Sequence, residues 1–223
     1  MIVSFPFHKI VKSSIDFFTE FGLCLISQMK KADRPVKLIL ASQSPYRKYA
    51  MDLLGLDYEI VPSTIDEKSI RDKNPRTLAE KLSEAKALSV AEKYDDAIII
   101  ASDALVSVNG SIFEKPGDKH EAFEMLSNLS NNRFEFVTGL AVLNTLTREK
   151  STTVRSCEIK FRPLSDGEIH KYIATYPVLN CAGAFEHHGL LFFSESISGS
   201  YNFRTAIPVP ELTLFLRRQG IPI

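Results

Sequence analysis

Five groups of residues in this 223-residue chain place reactive side chains where packing alone would not ask for them. Asp103 lies inside "IIIASDALV" (Ile98–Val106), and a carboxylate in an apolar run is costly to bury without a partner, a metal or a task. Asp66 and Glu67 in "STIDEKS" offer two more carboxylates, which by themselves read as surface charges. Ser44 and Arg47 follow the apolar run "LILAS", with Pro45 between them; Ser42 adds a second hydroxyl. A strand that opens through hydroxyls into a helix start is a ready anion site, because the free backbone N–H groups carry partial positive charge. An arginine fork there suits phosphate. The ordinary alternative is that Ser44 caps a helix while Arg47 and Lys48 are solvated. Lys86 and Lys115, each unremarkable alone, become informative if they converge, since about four negative charges on a triphosphate need several cations and a carboxylate-held Mg²⁺. The fifth group, in "LNCAGAFEHHGLLFF" (Leu179–Phe193), combines small residues that admit close backbone approach with the pair His187–His188. Adjacent histidine side chains point in different directions, so a solvent-exposed pair, or one ring bonding a base edge, is favoured over a shared metal.

The elements that must position these groups follow from periodicity and punctuation. Val36–Ser42 reads as a buried strand; Ser44 and Pro45 open a helix over Tyr46–Leu54 that stops at Gly55. Pro75–Lys93 is an amphipathic helix with Lys86 one turn after Leu82. Ala97–Val108 is a long strand, turned back by Asn109-Gly110 onto Ser111–Phe113. His120–Leu129 is helical, and Phe134–Asn144 and Thr152–Phe161 are expected as antiparallel neighbours. Ser165–Tyr176 is a helix with Ser165 and Glu168 as a capping box. Leu190–Glu195 is read as a strand and Pro210–Gln219 as a closing helix. This mixed order predicts an α/β protein with a mixed sheet.

Composition sets outer bounds. Hydrophobic residues make up 44% and charged residues 24%, ordinary for a globular domain. Lysine plus arginine equals aspartate plus glutamate, 27 each, which argues against a broad nucleic-acid-binding face. Cys24, Cys157 and Cys181 have neither metal-ligand spacing nor a disulfide framework, so a reducing, cytoplasmic setting is expected. Residues 1–28 are apolar but broken by Lys9, Lys12, Asp16 and Glu20, which excludes a membrane span and makes a poor signal peptide. Met29 reads as the natural start, leaving 1–28 as an extension that need not be native and 29–223 as one catalytic domain. Neither a P-loop nor a dinucleotide fingerprint is present.

Taken in order, these stretches resemble the Maf family of nucleoside triphosphate pyrophosphatases, from about Val36 through Gly220. The family's opening motif is matched by Ala41, Ser42, Ser44, Pro45 and Arg47, its acidic pair by Asp66 and Glu67, and its helix lysine by Lys86. Its Ser-Asp strand motif falls on Ser102 and Asp103 and its Lys-Pro on Lys115 and Pro116; Thr138-Gly139, Phe161–Ser165 and Ala182-Gly183 also fit. The resemblance implies two lobes around a central cleft, with Asp103 as general base. It implies Glu67 and Asp103 as holders of Mg²⁺ or Mn²⁺, and Ser44, Arg47, Lys86 and Lys115 as the triphosphate grip. Tyr46, Ala104 and His188 fall at the positions expected to tune base choice. "NCAGAF" and the aromatic Tyr46 resemble the 7-methyl-GTP branch, although that branch carries tryptophan, glutamine and glutamate at those three positions. "TAIP" (Thr205–Pro208) stands where glycine-leucine-proline is usual. The other readings are a dTTP/UTP pyrophosphatase, or a non-catalytic nucleotide-binding regulator of cell division. The expected partner is a nucleotide, with neither nucleic acid nor membrane, and a homodimer is compatible with the resemblance.

Overall fold

The computed structural model describes residues 36–223. The N-terminal extension and the reading of Met29 as initiator lie outside the described residues. Within them are seven strands and six α-helices, joined by short 3₁₀ turns.

The sheet is mixed, in the order β2 (Glu59–Ile60), β1 (Lys37–Leu40), β3 (Ala97–Val108), β5 (Arg133–Asn144), β6 (Lys150–Phe161), β7 (Ser194–Gly199), with β4 (Ser111–Phe113) pairing β3 beside this path. β1 runs parallel to both β2 and β3. β3 is antiparallel to β4 and to β5, β5 to β6, and β6 to β7. The hairpin from β3 to β4 turns at Asn109 and Gly110, both at positive φ (49° and 80°), as an Asn-Gly two-residue loop requires.

Helices cover the sheet. α1 (Pro45–Leu53) packs Ala50 and Met51 against the β1 end of the sheet together with α6 (Val209–Arg218). α2 (Pro75–Ala91) lays Leu78, Leu82, Lys86 and Val90 along one buried face. α3 (Lys119–Leu129), α4 (Asp166–Thr175) and α5 (His187–Phe193) enclose the second apolar cluster around Phe134, Phe161 and Phe185. The long strand β3 serves both clusters: Ile98 and Ile100 belong to the first, Val106 and Val108 to the second. Asp103 sits where one gives way to the other.

One local expectation changes. Leu190–Glu195 is not a strand: α5 occupies His187–Phe193 and the strand is Ser194–Gly199. A short apolar run fits a strand and a buried helix equally well. Glu186 decides between them by accepting a hydrogen bond from the His188 backbone N–H, after which Leu190 and Phe193 face inward and Leu191 and Phe192 outward. β7 carries no alternating pattern, being a largely exposed Ser- and Gly-rich edge strand held by its backbone pairing to β6.

Candidate active site

The loop after β1 and the start of α1 form one wall of a polar cavity of about 470 Å³. Ser44 occupies the N-cap position, yet its side chain makes no capping hydrogen bond, and α1 has no acid in its first turn. Ser44 lines the cavity at the helix's positive end with a hydroxyl not engaged in capping. Arg47 is not a solvated side chain either: only 9% exposed, it donates from Nη1 to Ser42 Oγ (3.1 Å) and from Nε to the Ala206 carbonyl (3.4 Å). Burial lowers the pKa of its guanidinium, against the opposing pull of Asp103 and Glu67. Lys48, by contrast, pairs with Asp52 at the surface.

Glu67, Lys86 and Lys115 line the same cavity with Ser44, Tyr46 and Arg47. Lys86 is 5% exposed and reaches from α2 to two carboxylates, Glu67 Oε2 at 2.9 Å and Asp103 Oδ1 at 2.5 Å. Arg47 Nη2 stands 4.0 Å from the same Asp103 oxygen. Asp103 is thus buried behind the cavity wall, paired with two buried cations, Lys86 and Arg47, that do line it. Asp66 takes a structural part, accepting from the Lys68 N–H at the turn that presents Glu67. Lys115 is exposed at the mouth and forms no ion pair among the described residues.

Close packing makes this convergence. Asp103 pairs in register with Gly139 across β3 and β5. A Cβ at Gly139 would come within 2.2 Å of the Ala79 carbonyl oxygen, so only glycine lets α2 press onto the strand and deliver Lys86. Ser102 donates to the carbonyls of Gly139 and Ala206, and Ala206 in turn accepts from Arg47. Ala206 has φ 49°, the left-handed region, at the position where a glycine is usual. This carbonyl anchor for Arg47 lies far from it in sequence, and the only local hint of it was the departure at "TAIP".

A second, tighter space of about 60 Å³ is walled by Tyr46, Ala104, Lys115, Phe136, Phe185, Glu186 and His187 among others. Burial pushes the Tyr46 hydroxyl well above its ordinary pKa, and the negative charge of Glu186 adds to the effect. Gly183, at φ 68°, shapes the wall: a Cβ would meet Val106 Cγ2 at 2.8 Å, and its N–H donates to the Glu114 carbonyl beside Lys115. Cys181 also lines the space, but burial raises its pKa, which disfavours a thiolate nucleophile. His188, unlike His187, lines neither space; its ring stacks on Tyr176 at 5.2 Å. The two adjacent imidazoles do not diverge, since both place Nδ1 2.7 Å from the Glu186 carboxylate. Glu186, buried and central to this space, was not anticipated from sequence. A roomier cavity of about 590 Å³, lined by Tyr49, Arg155, Tyr201 and Glu211, contains none of the expected site residues.

A family model described as Maf-like protein matches residues 37–219. The chain belongs to the Maf family. It is 34% identical over 193 residues to a protein of Alcanivorax borkumensis called 7-methyl-GTP pyrophosphatase, covering 86% of this chain and 98% of that one. A protein of the same description from Idiomarina loihiensis is 38% identical over 188 residues, covering 82% and 95%. A dTTP/UTP pyrophosphatase of Syntrophus aciditrophicus is 33% identical over 185 residues, covering 82% and 90%. This Maf chain shares nearly the whole length of these relatives. Among the described residues, no helix is long and apolar enough to cross a membrane.

Proposed function

We propose that this protein hydrolyses a nucleoside triphosphate between the α and β phosphates, and that its preferred substrate is 7-methyl-GTP or a similarly modified nucleotide. The observation that carries the reading is the pairing of Lys86 with Glu67 and Asp103, and of Arg47 with Asp103, at a cavity that Lys115 and Ser44 also line. Three cations and a helix N-terminus would hold the polyphosphate, and its oxygens would compete with Asp103 for Lys86 and Arg47. Asp103, once released, would accept the proton of the attacking water as its oxygen bonds to the α phosphorus. The bond from that phosphorus to the bridging oxygen breaks, and pyrophosphate leaves with its charge offset by the same cations.

A divalent cation fits the donor set. Glu67 and Asp103 both direct oxygens at one positive centre, Lys86 Nζ, and hard oxygen donors suit Mg²⁺ or Mn²⁺. When bound, such an ion would supply further neutralisation of the phosphates.

Base choice rests on Tyr46. Methylation at N7 makes guanine cationic. Stacking on an aromatic ring contributes about 1–3 kcal/mol per base, and cation–π attraction strengthens it. The buried, free thiols of Cys157 and Cys181 support a reducing, cytoplasmic setting.

A pyrophosphate-release screen over 7-methyl-GTP, GTP, dTTP and UTP, with and without Mg²⁺, tests the reading. The expected order places 7-methyl-GTP first and requires the metal. Preference for dTTP and UTP would assign the other substrate class, and no release from any nucleotide would leave a binding protein.

A further inference from the structure

Beside the nucleotide cavity, Glu186, His187 and His188 bring one oxygen and two imidazole nitrogens within 4.8 Å of one another. Their convergence is enforced from several sides. The Glu186 backbone N–H donates to the Tyr172 hydroxyl at 3.1 Å, and the His188 N–H donates to Glu186 Oε1 at 3.0 Å, which folds the carboxylate over the two rings. A Cβ at Gly189 would lie 2.5 Å from that tyrosine hydroxyl, so glycine allows the chain to press this close. The His188 ring packs beside Tyr176 at 5.2 Å and Phe192 at 6.5 Å, and the His187 ring meets Tyr46 edge-on at 6.2 Å.

The carboxylate side chain is 3% exposed, while the imidazoles are 37% and 43% exposed and open to solvent. Among the described residues no lysine or arginine pairs with Glu186; the two histidines are its salt-bridge partners. A buried carboxylate without a fixed cation is expensive. We propose that Glu186, His187 and His188 form a binding site for an imidazole-preferring divalent cation such as Zn²⁺, separate from the oxygen-lined phosphate site. Tetrahedral zinc at about 2.0–2.2 Å from each ligand sets neighbouring donors about 3.4 Å apart. His187 Nδ1 lies 2.7 Å from Glu186 Oε2 and His188 Nδ1 2.7 Å from Oε1, so rotation of the rings away from the carboxylate would open that spacing and leave a fourth position for water. Imidazole donors select Zn²⁺, Ni²⁺ or Cu²⁺ over Mg²⁺, which keeps the two sites chemically distinct. The positive end of the short helix α5 opposes a cation here, so the carboxylate is indispensable to the site.

The test is calorimetric titration of the full-length protein with Zn²⁺ in excess Mg²⁺, repeated with Co²⁺ by visible absorption. Wild type binds one ion in competition with the excess Mg²⁺. Glu186→Gln, His187→Ala and His188→Ala each weaken binding at least ~10-fold, the scale on which even supporting residues of metal sites act. Cys157→Ser with Cys181→Ser leaves it unchanged. Glu186 is buried, so circular dichroism checks its variant; if that variant misfolds, the two half-exposed histidines decide. Binding that survives all three substitutions, or that vanishes with the cysteines, overturns the proposal. Pyrophosphate release plays no part in this readout, so its outcome and that of the nucleotide reading are independent.

Discussion

Replacing Asp103 by asparagine keeps the shape of the side chain and removes its charge, which separates its chemical part from its structural one. In the wild type this carboxylate faces Lys86 at 2.5 Å and Arg47 at 4.0 Å. At an effective dielectric of about 20, a 4 Å pair attracts by about 4 kcal/mol, and breaking a buried pair costs about 3–5 kcal/mol in practice. Lys86 keeps Glu67 at 2.9 Å, and Arg47 keeps Ser42 and the Ala206 carbonyl. The lower end applies, about 3 kcal/mol. For a domain of this size each kcal/mol moves Tm by about 2–4 °C, so Asp103→Asn melts about 6–12 °C lower but stays folded at 25 °C. A non-hydrolysable triphosphate raises the variant's Tm more than the wild type's, because phosphate charge replaces the missing carboxylate. Steady-state pyrophosphate release should fall by at least 10²-fold in kcat, the lower bound for a positioned base. A lower Tm with kcat within threefold of wild type would make Asp103 a structural counter-ion and refute the catalytic reasoning.

Three further outcomes are expected. Tyr46→Ala raises KM for 7-methyl-GTP by roughly 5- to 150-fold, the equivalent of 1–3 kcal/mol of stacking, with a smaller effect on kcat; an unchanged KM removes the ring from the base site. Gly139→Ala forces α2 off β5 and costs about 1–3 kcal/mol in urea unfolding, with a parallel loss of turnover as Lys86 withdraws from Asp103; wild-type stability would mean the helix is free to shift. Glu168 is held at a pKa of about 2 by Arg162 and by the backbone and hydroxyl of Ser165, against an ordinary value of 4.5. Its folded pKa is depressed, so its stabilisation is present above pH 4.5 and is lost as pH falls from there toward 2. The Tm gap between wild type and Glu168→Gln is therefore constant near neutrality and closes through that acid window; a gap that persists at pH 2 contradicts the assignment.

The sequence by itself determined the local elements and the suspicion attached to particular residues. A charge in the apolar run around Asp103, the Ser44-Pro45 helix entry, the Asn109-Gly110 hairpin and the Ser165–Glu168 capping box are all short-range signals, and the described structure carries each of them. Tertiary structure decided which charges meet. Lys86 joins Glu67 and Asp103 from 19 and 17 residues away because β3 lies beside β5 and Gly139 admits α2 at contact distance. Ala206 orients Arg47 across 159 residues, and no periodicity encodes that. The run Leu190–Phe193 is apolar in either geometry, and its helical form follows from the Glu186 cap and the packing of Leu190 and Phe193 against the aromatic cluster. Periodicity fixes which face of an element is buried, since that depends only on neighbours a few residues apart. The partner of a buried charge is fixed by whichever distant segment the assembled sheet and its helices place opposite it.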